Sequence, residues 1–139
     1  MQLYLAAAWS RKKEVRAVAD ELNTIPGLYV HSRWLLDPDE AYGKSRGPVP
    51  PEERAAVDVQ DVRDADILVR FTDDMTKEFV STRLITGARM FEMGLAYAIG
   101  KKIVVVGGIQ PIFDYLPEIV HVPNVDELKQ YLISEITNG

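Results

Sequence analysis

Glu92 is the carboxylate whose surroundings most call for an explanation. It lies in the run Gly87-Ala-Arg-Met-Phe-Glu-Met-Gly-Leu-Ala-Tyr-Ala-Ile-Gly100. Met90, Met93, Gly94 and Tyr97 recur at the spacing of one helix face, and Phe91, Leu95 and Ala98 add a second apolar stripe. The pattern predicts a helix packed on more than one side, where a charged side chain is seldom tolerated unless it is paired. Glu92 is therefore either paired or chemically at work. The plainer alternative is an i, i+3 ion pair with Arg89 on a strip of helix facing water, which contributes only about 0.2–0.5 kcal/mol.

The elements that must position this carboxylate follow from the chain in order. Leu3 to Ala8 reads as a buried strand, and Ser10 is placed to cap a helix through Asn23 with Val15, Val18, Ala19 and Leu22 inward. Pro26-Gly27 turns the chain into a second strand, Leu28 to Ser32. From Asp37 to Pro51 the composition is that of a long loop, expected to fold over a ligand as a lid. Pro50-Pro51-Glu52-Glu53 opens a helix with Ala56, Val59 and Val62 inward, its acidic first turn favourable to the helix dipole. Asp66 to Phe71 and Ile103 to Val106 are the third and fourth strands, on either side of the Glu92 helix. Ile119 to Val122 is the fifth strand, and Asn124 caps a last helix burying Leu128, Leu132 and Ile136.

Strands alternating with helices predict an α/β, doubly wound sandwich with a five-stranded parallel sheet in the order 2-1-3-4-5. In such a sheet ligands gather at the carboxyl ends of the strands. The tip of the first strand (Ala7, Ala8, Trp9, Ser10), that of the third (Thr72, Asp73, Asp74) and the start of the Glu92 helix then meet at one crevice.

The chain has 139 residues, 47% of them apolar, which suits one domain over 1–139 with a core that folds without staples. It has no cysteine, which excludes disulfides and thiolate chemistry. A net charge of −5 argues against a nucleic-acid polymer as partner but leaves free nucleotides open. No segment reads as a signal peptide or a membrane span, so the expected location is cytoplasmic, without a membrane partner.

Several of these residues together resemble the nucleoside 2-deoxyribosyltransferase superfamily, which includes the 2′-deoxynucleoside 5′-monophosphate N-glycosidases. They are Leu3-Tyr-Leu-Ala in the first strand, Asp58 followed by Ala65-Asp66-Ile-Leu-Val, and Gly87-x-x-x-x-Glu92-x-Gly94-x-Ala-x-x-x-Gly100-Lys101. The similarity runs over nearly the whole chain and implies a flavodoxin-like sheet. It implies that Glu92 is the nucleophile, that Asp58 binds the sugar and that Tyr4 orients the glutamate. The implied activity is cleavage or transfer of the N-glycosidic bond of a nucleoside or its 5′-monophosphate, with no cofactor. The chain departs from the family pattern at Thr86 and Ala88, where Asp or Ser and Gly are usual, with Gly87 between them. It also has alanines after the first strand where relatives often carry Gly or Pro.

The chemistry explains the residue types. Breaking the bond from C1′ to a base nitrogen passes through an oxocarbenium-like state, which a carboxylate close to the anomeric carbon can stabilise and trap. Glu92 must be ionised to do this, and a phenol donating to it would hold one rotamer and favour the ionised form. Asp58 can accept from a sugar hydroxyl, although an exposed helix aspartate is its plainer reading. Trp9, Trp34 and Phe71 offer flat surfaces for a base or belong to the core. Asp73 sits at a strand tip, as a ligand or as a turn residue. Ser10 and Arg11, with Lys12 and Lys13, open a helix where a phosphate would be welcomed, and Thr86, Gly87 and Ala88 form the turn before Glu92. Arg33, Lys44 and Arg46 are further phosphate candidates. His31 and His121 stand apart without a second spaced ligand, so no metal site is expected.

The alternative to an enzyme is a non-catalytic nucleotide-binding module on the same sheet; an unrelated protein of this fold is a third. Surplus apolar surface on the Glu92 helix and on Phe113, Tyr115 and Leu116 leads to the expectation of a homodimer or higher homo-oligomer.

Overall fold

A strand covered on both faces reads as an unbroken apolar run, and Leu3, Tyr4, Leu5 and Ala6 are all buried. The structure, a computed structural model, describes residues 1–37, 50–72 and 87–139. In it β1 (Gln2–Ala6), β2 (Tyr29–Val30), β3 (Ile67–Phe71), β4 (Lys102–Val106) and β5 (Val120–Val122) form one five-stranded sheet. The strand order is β2-β1-β3-β4-β5 with every pairing parallel, as the sequence pattern predicts. The helices are α1 (Lys12–Asn23), α2 (Pro51–Asp64), α3 (Gly87–Ala98) and α4 (Val125–Asn138).

Register decides which side chains meet. Tyr4 lies opposite Leu68 and Ala6 opposite Arg70, which in turn face Ile103 and Val105 on β4. Side chains alternate along a strand, so Tyr4, Ala6, Leu68 and Arg70 share one face of the sheet. Bonds from Tyr4 and Arg70 to residues of α3 show that this is the face under α2 and α3. Leu3, Leu5, Val69 and Phe71 point the other way, toward α1 and α4, which an ion pair between Glu21 and Lys129 joins.

Several boundaries differ from those expected. β1 ends at Ala6 rather than Ala8, and β2 is shorter than Leu28 to Ser32. Ser10 is not the cap of α1. A 3-10 turn over Trp9–Arg11 leads into the helix, Arg11 occupies the cap position without a side-chain bond, and Ser10 is exposed. The inward residues of α1, Val15, Val18, Ala19 and Leu22, are as expected. Asn124 does cap α4, its Oδ1 accepting from Glu127 N at 2.9 Å. In α2, Val62 is buried and Val59 partly so, but Ala56 is exposed. The helix turns inward only toward its end: 51, 55 and 56 are exposed, 54, 57, 58 and 59 half-buried, and 61 and 62 buried.

α3 departs furthest from its pattern. It buries Arg89, Met93 and Ala96 on the sheet, while Phe91, Gly94, Tyr97 and Ala98 are exposed. Of the apolar stripes read from periodicity, Met93 is buried and Met90 and Leu95 pack partly buried against the core, whereas Gly94 and Tyr97, Phe91 and Ala98 face outward. Gly100 ends the segment at φ 79°, a left-handed conformation that favours glycine. Most of the expected lid, residues 38–49 with Lys44 and Arg46, and the candidates Asp73, Asp74 and Thr86 lie outside the described residues.

Arg70 is an arginine in the middle of a buried strand. Its guanidinium meets the Asp114 carboxylate in a two-pronged pair, Nη1 to Oδ1 at 2.8 Å and Nη2 to Oδ2 at 2.5 Å. Nη1 also lies 3.0 Å from the Met93 sulfur, and Asp114 Oδ2 accepts from Gln110 N at 3.0 Å. Both side chains of the pair are about fully buried, so either one left alone would be an uncompensated buried charge. Asp114→Ala is expected to destabilise the chain by about 3–5 kcal/mol in urea unfolding, and Arg70→Met combined with Asp114→Leu to recover most of that loss. Equal losses in the single and double variants would show that the pair is not the source.

Candidate functional site

The site is built where β1, α2 and α3 meet. Tyr4 rises from the middle of β1 toward α3, and its hydroxyl donates to Glu92 Oε2 in the second turn of that helix. The phenol is buried, and its pKa is pushed well above the ordinary phenol value. Burial contributes most to the shift; next come the negative charges of Glu92 and Asp58, then the hydrogen bond to Glu92 and the charge of Asp61. The hydroxyl therefore remains a donor throughout the neutral range. Glu92 itself is only partly buried and opens on a cavity of about 550 Å³.

The walls of that cavity come from three places. α2 contributes Pro51, Arg54, Ala55, Asp58 and Val59, one continuous stripe of the helix. α3 contributes its first residues, Gly87 and Ala88, then Phe91, Glu92 and Leu95. Ala7, Trp9 and Trp34 close the end above β1. The two indoles lie with centroids 6.2 Å apart and planes tilted by 40°, and the ammonium of Lys12 sits 4.8 Å from the Trp9 ring centroid.

Trp34 is fixed by the backbone around it. Its Nε1 donates to Leu5 O at 2.8 Å, and Ser32 Oγ accepts from Leu5 N at 2.8 Å. The turn that carries it, Arg33–Leu36, is anchored on α2 by the fully buried Asp61. Asp61 accepts from Arg33 N and Arg33 Nε, both at 2.9 Å, and lies 3.2 Å from His31 Nε2. One turn of chain further on, Asp37 forms an ion pair with Arg54.

The residues singled out in the sequence separate into groups. Tyr4, Glu92, Asp58, Trp9, Trp34, Gly87 and Ala88 all line the cavity. Phe71 does not, because its place in β3 turns it to the opposite face, where it is core. Arg11 holds Glu14 and donates to the Thr72 carbonyl, and Ser10 is exposed beside it. The reading of Glu92 as half of an ion pair on a water-facing strip fails on the burial of Arg89, which is 2% exposed and donates to Phe71 O at 3.3 Å. Sequence reasoning missed Arg54, Asp61 and Asp37. Arg54 had one available signal, standing one helical turn before Asp58 on the same face.

Among the described residues no group of three or more His, Asp or Glu side chains is placed to hold a metal ion. No helix among them is long and apolar enough to cross a membrane.

No protein-family model and no curated protein matches the chain. Solved structures do. A CMP N-glycosidase from Clostridium botulinum superimposes with a TM-score of 0.57 at 18% identity, covering 95% of this chain and 98% of that one. A 2-deoxyribosyltransferase from Bacillus psychrosaccharolyticus gives 0.63 at 16% identity, over 98% and 96% of the two chains. A conserved protein from Enterococcus faecalis gives 0.59 at 14%, over 99% and 98%. The chain thus shares its α/β fold with that deoxyribosyltransferase.

The raised pKa of Tyr4 has a consequence for alkaline stability. Its folded value lies above its unfolded value of about 10, so its contribution is fully present below that pH and is lost as pH rises toward the folded value. In an alkaline titration followed by tyrosinate absorbance, one of the six tyrosines is expected to resist ionisation until the chain unfolds. Tyr4→Phe should remove that late transition. Six tyrosines ionising together in the native state would contradict the buried bond.

Proposed function

We propose that this chain cleaves or transfers the N-glycosidic bond of a nucleoside or nucleoside 5′-monophosphate, with Glu92 as nucleophile. The observation that carries the reading is the Tyr4 to Glu92 bond at the floor of a cavity that also holds Asp58 and two tryptophans. A carboxylate held by a buried phenol is pre-oriented, and it needs no reorganisation when positive charge develops at the anomeric carbon. The fold shared with an N-glycosidase and a deoxyribosyltransferase supports the same class of chemistry.

In the first step a Glu92 oxygen bonds to C1′ while the bond from C1′ to the base nitrogen breaks, its electron pair leaving with the base. In the second, water or the nitrogen of another base attacks C1′ and releases Glu92. Water gives hydrolysis and a base gives transfer, and the attacking group sheds its proton to solvent. Asp58 accepts from a sugar hydroxyl and fixes the ring. The 5′ group lies toward Gly87 and Ala88, where α3 begins without any acidic residue in its first turn to neutralise its amides.

Assembly belongs to the same proposal. Phe91, Tyr97, Ile112, Phe113 and Tyr115 are each more than 40% exposed, an apolar surface that suits a symmetric homo-oligomer. Light scattering at micromolar concentration is expected to return a multiple of the monomer mass; a monomer mass throughout would remove this part.

The chemistry is tested at Glu92. Glu92→Gln keeps the shape and still accepts from Tyr4, but lacks the charge that meets the anomeric carbon. Turnover of a panel of deoxynucleosides and their 5′-monophosphates should fall by roughly 10³-fold or more, while substrate binding survives. A 2-fluorinated sugar substrate should leave the parent chain heavier by one glycosyl unit, attached at Glu92, in intact-mass spectrometry. A Glu92→Gln chain that binds and turns over substrate as the parent does would end the assignment. Binding without turnover by the parent itself would favour a nucleotide-binding module.

A further inference from the structure

We infer that Arg54 contacts the leaving base and stabilises the negative charge that gathers on it as the glycosidic bond breaks. The inference rests on the reading of Glu92 given above and adds a second, opposite end to it. Arg54 and Asp58 stand one helical turn apart on α2, and both line the cavity. In that reading Glu92 meets the anomeric carbon and Asp58 a sugar hydroxyl. Trp9 and Trp34 line the same cavity and offer the flat surfaces against which a planar base fits.

The condition of the arginine suits this place. Its side chain is 19% exposed and is paired with the Asp37 carboxylate, which is 1% exposed. Its Nε is buried with no acceptor among the described residues. A guanidinium carries five N–H donors in a fixed plane, so the pair with Asp37 leaves donors to spare. Because Asp37 balances the charge, the pair is a poor trap for a preformed anion. It gains most from an acceptor whose charge grows during the reaction, which is the property of a transition-state contact.

The leaving base is such an acceptor. When the bond from C1′ breaks, the electron pair passes to the ring nitrogen and spreads to the ring nitrogens and exocyclic oxygens conjugated with it. A guanidinium N–H donating to one of those atoms lowers the energy of the departing anion, which then takes a proton from water. The base recognised is thus one with a carbonyl oxygen or ring nitrogen conjugated to the glycosidic nitrogen. An arginine that only braced α2 against Asp37 would act equally on every substrate.

That difference is the test. Arg54→Lys keeps a cation for Asp37 but removes the planar fork and its Nε donor, and Arg54→Gln removes the charge as well. Both are assayed with the parent on purine and pyrimidine deoxynucleosides and 5′-monophosphates graded by the acidity of the free base, with thermal unfolding recorded for each chain. The expected result is a loss in kcat/KM on the order of 10²-fold for the most basic leaving groups, shrinking steadily toward the most acidic. Arg54→Lys should show the same trend even where Arg54→Gln is too unstable to assay. A loss equal across the panel, or none, would overturn the role of Arg54 while leaving Glu92 in place. A parent chain that cleaves no member of the panel would overturn the reading of Glu92, and this inference with it.

Discussion

A sheet covered on both faces has no water for its polar side chains, and that constraint governs this molecule. Two long polar groups rise from the central strands on the side of α2 and α3: Tyr4 from β1 and Arg70 from β3. Each is met by a carboxylate from another element, Tyr4 by Glu92 of α3 and Arg70 by Asp114 of the turn before β5. A buried donor without an acceptor costs about 1–3 kcal/mol, and a buried charge without a partner more. The two bonds therefore specify how α3 and the Asp114 turn sit on the sheet. One of them also places a carboxylate in the lining of a cavity.

The cavity exists because α2 is held off the sheet at its start. Only near its end, at Asp61 and Val62, is α2 fully buried. Its earlier stripe faces open space shared with α3. Two carboxylates keep the opposite wall in position: Asp61 fixes the turn that carries Trp34, and Asp37 at the end of that turn pairs with Arg54. Trp34, Glu92 and Arg54, which line the site, are thus held by bonds to backbone and to other buried groups. Such support is what a preorganised site requires.

The same sheet carries proteins of different chemistry, and a shared fold at this level of identity does not choose among them. In the proposed reading the choice rests on the side chains. Under the proposed function, a phenol held in its neutral form beside a carboxylate, an aspartate and flat aromatic walls in one cavity form the set that would receive a sugar bearing a planar base. A sheet built only to be stable would be better served by apolar residues at positions 4 and 92.

Alternation of apolar strands with helices, and turn residues such as Gly100 and Asn124, determined the order of elements and the strand order, because these depend on local periodicity and on the handedness of crossovers. Glu92 stood out in the sequence because a lone carboxylate interrupts an apolar helix, and its link to Tyr4 and Asp58 was implied by resemblance to a family. Tertiary structure alone decided the rest. It turned Phe71 to the far face, since strand register cannot be read from one strand. It rotated α3 so that Arg89 is buried and Phe91 exposed, since periodicity finds an apolar stripe without saying which side meets the sheet. It brought Arg54 to Asp37 and Arg70 to Asp114, pairings across 17 and 44 positions that no local pattern records. Whether a charged residue is a solvated surface group or the wall of a site depends on what the fold brings against it.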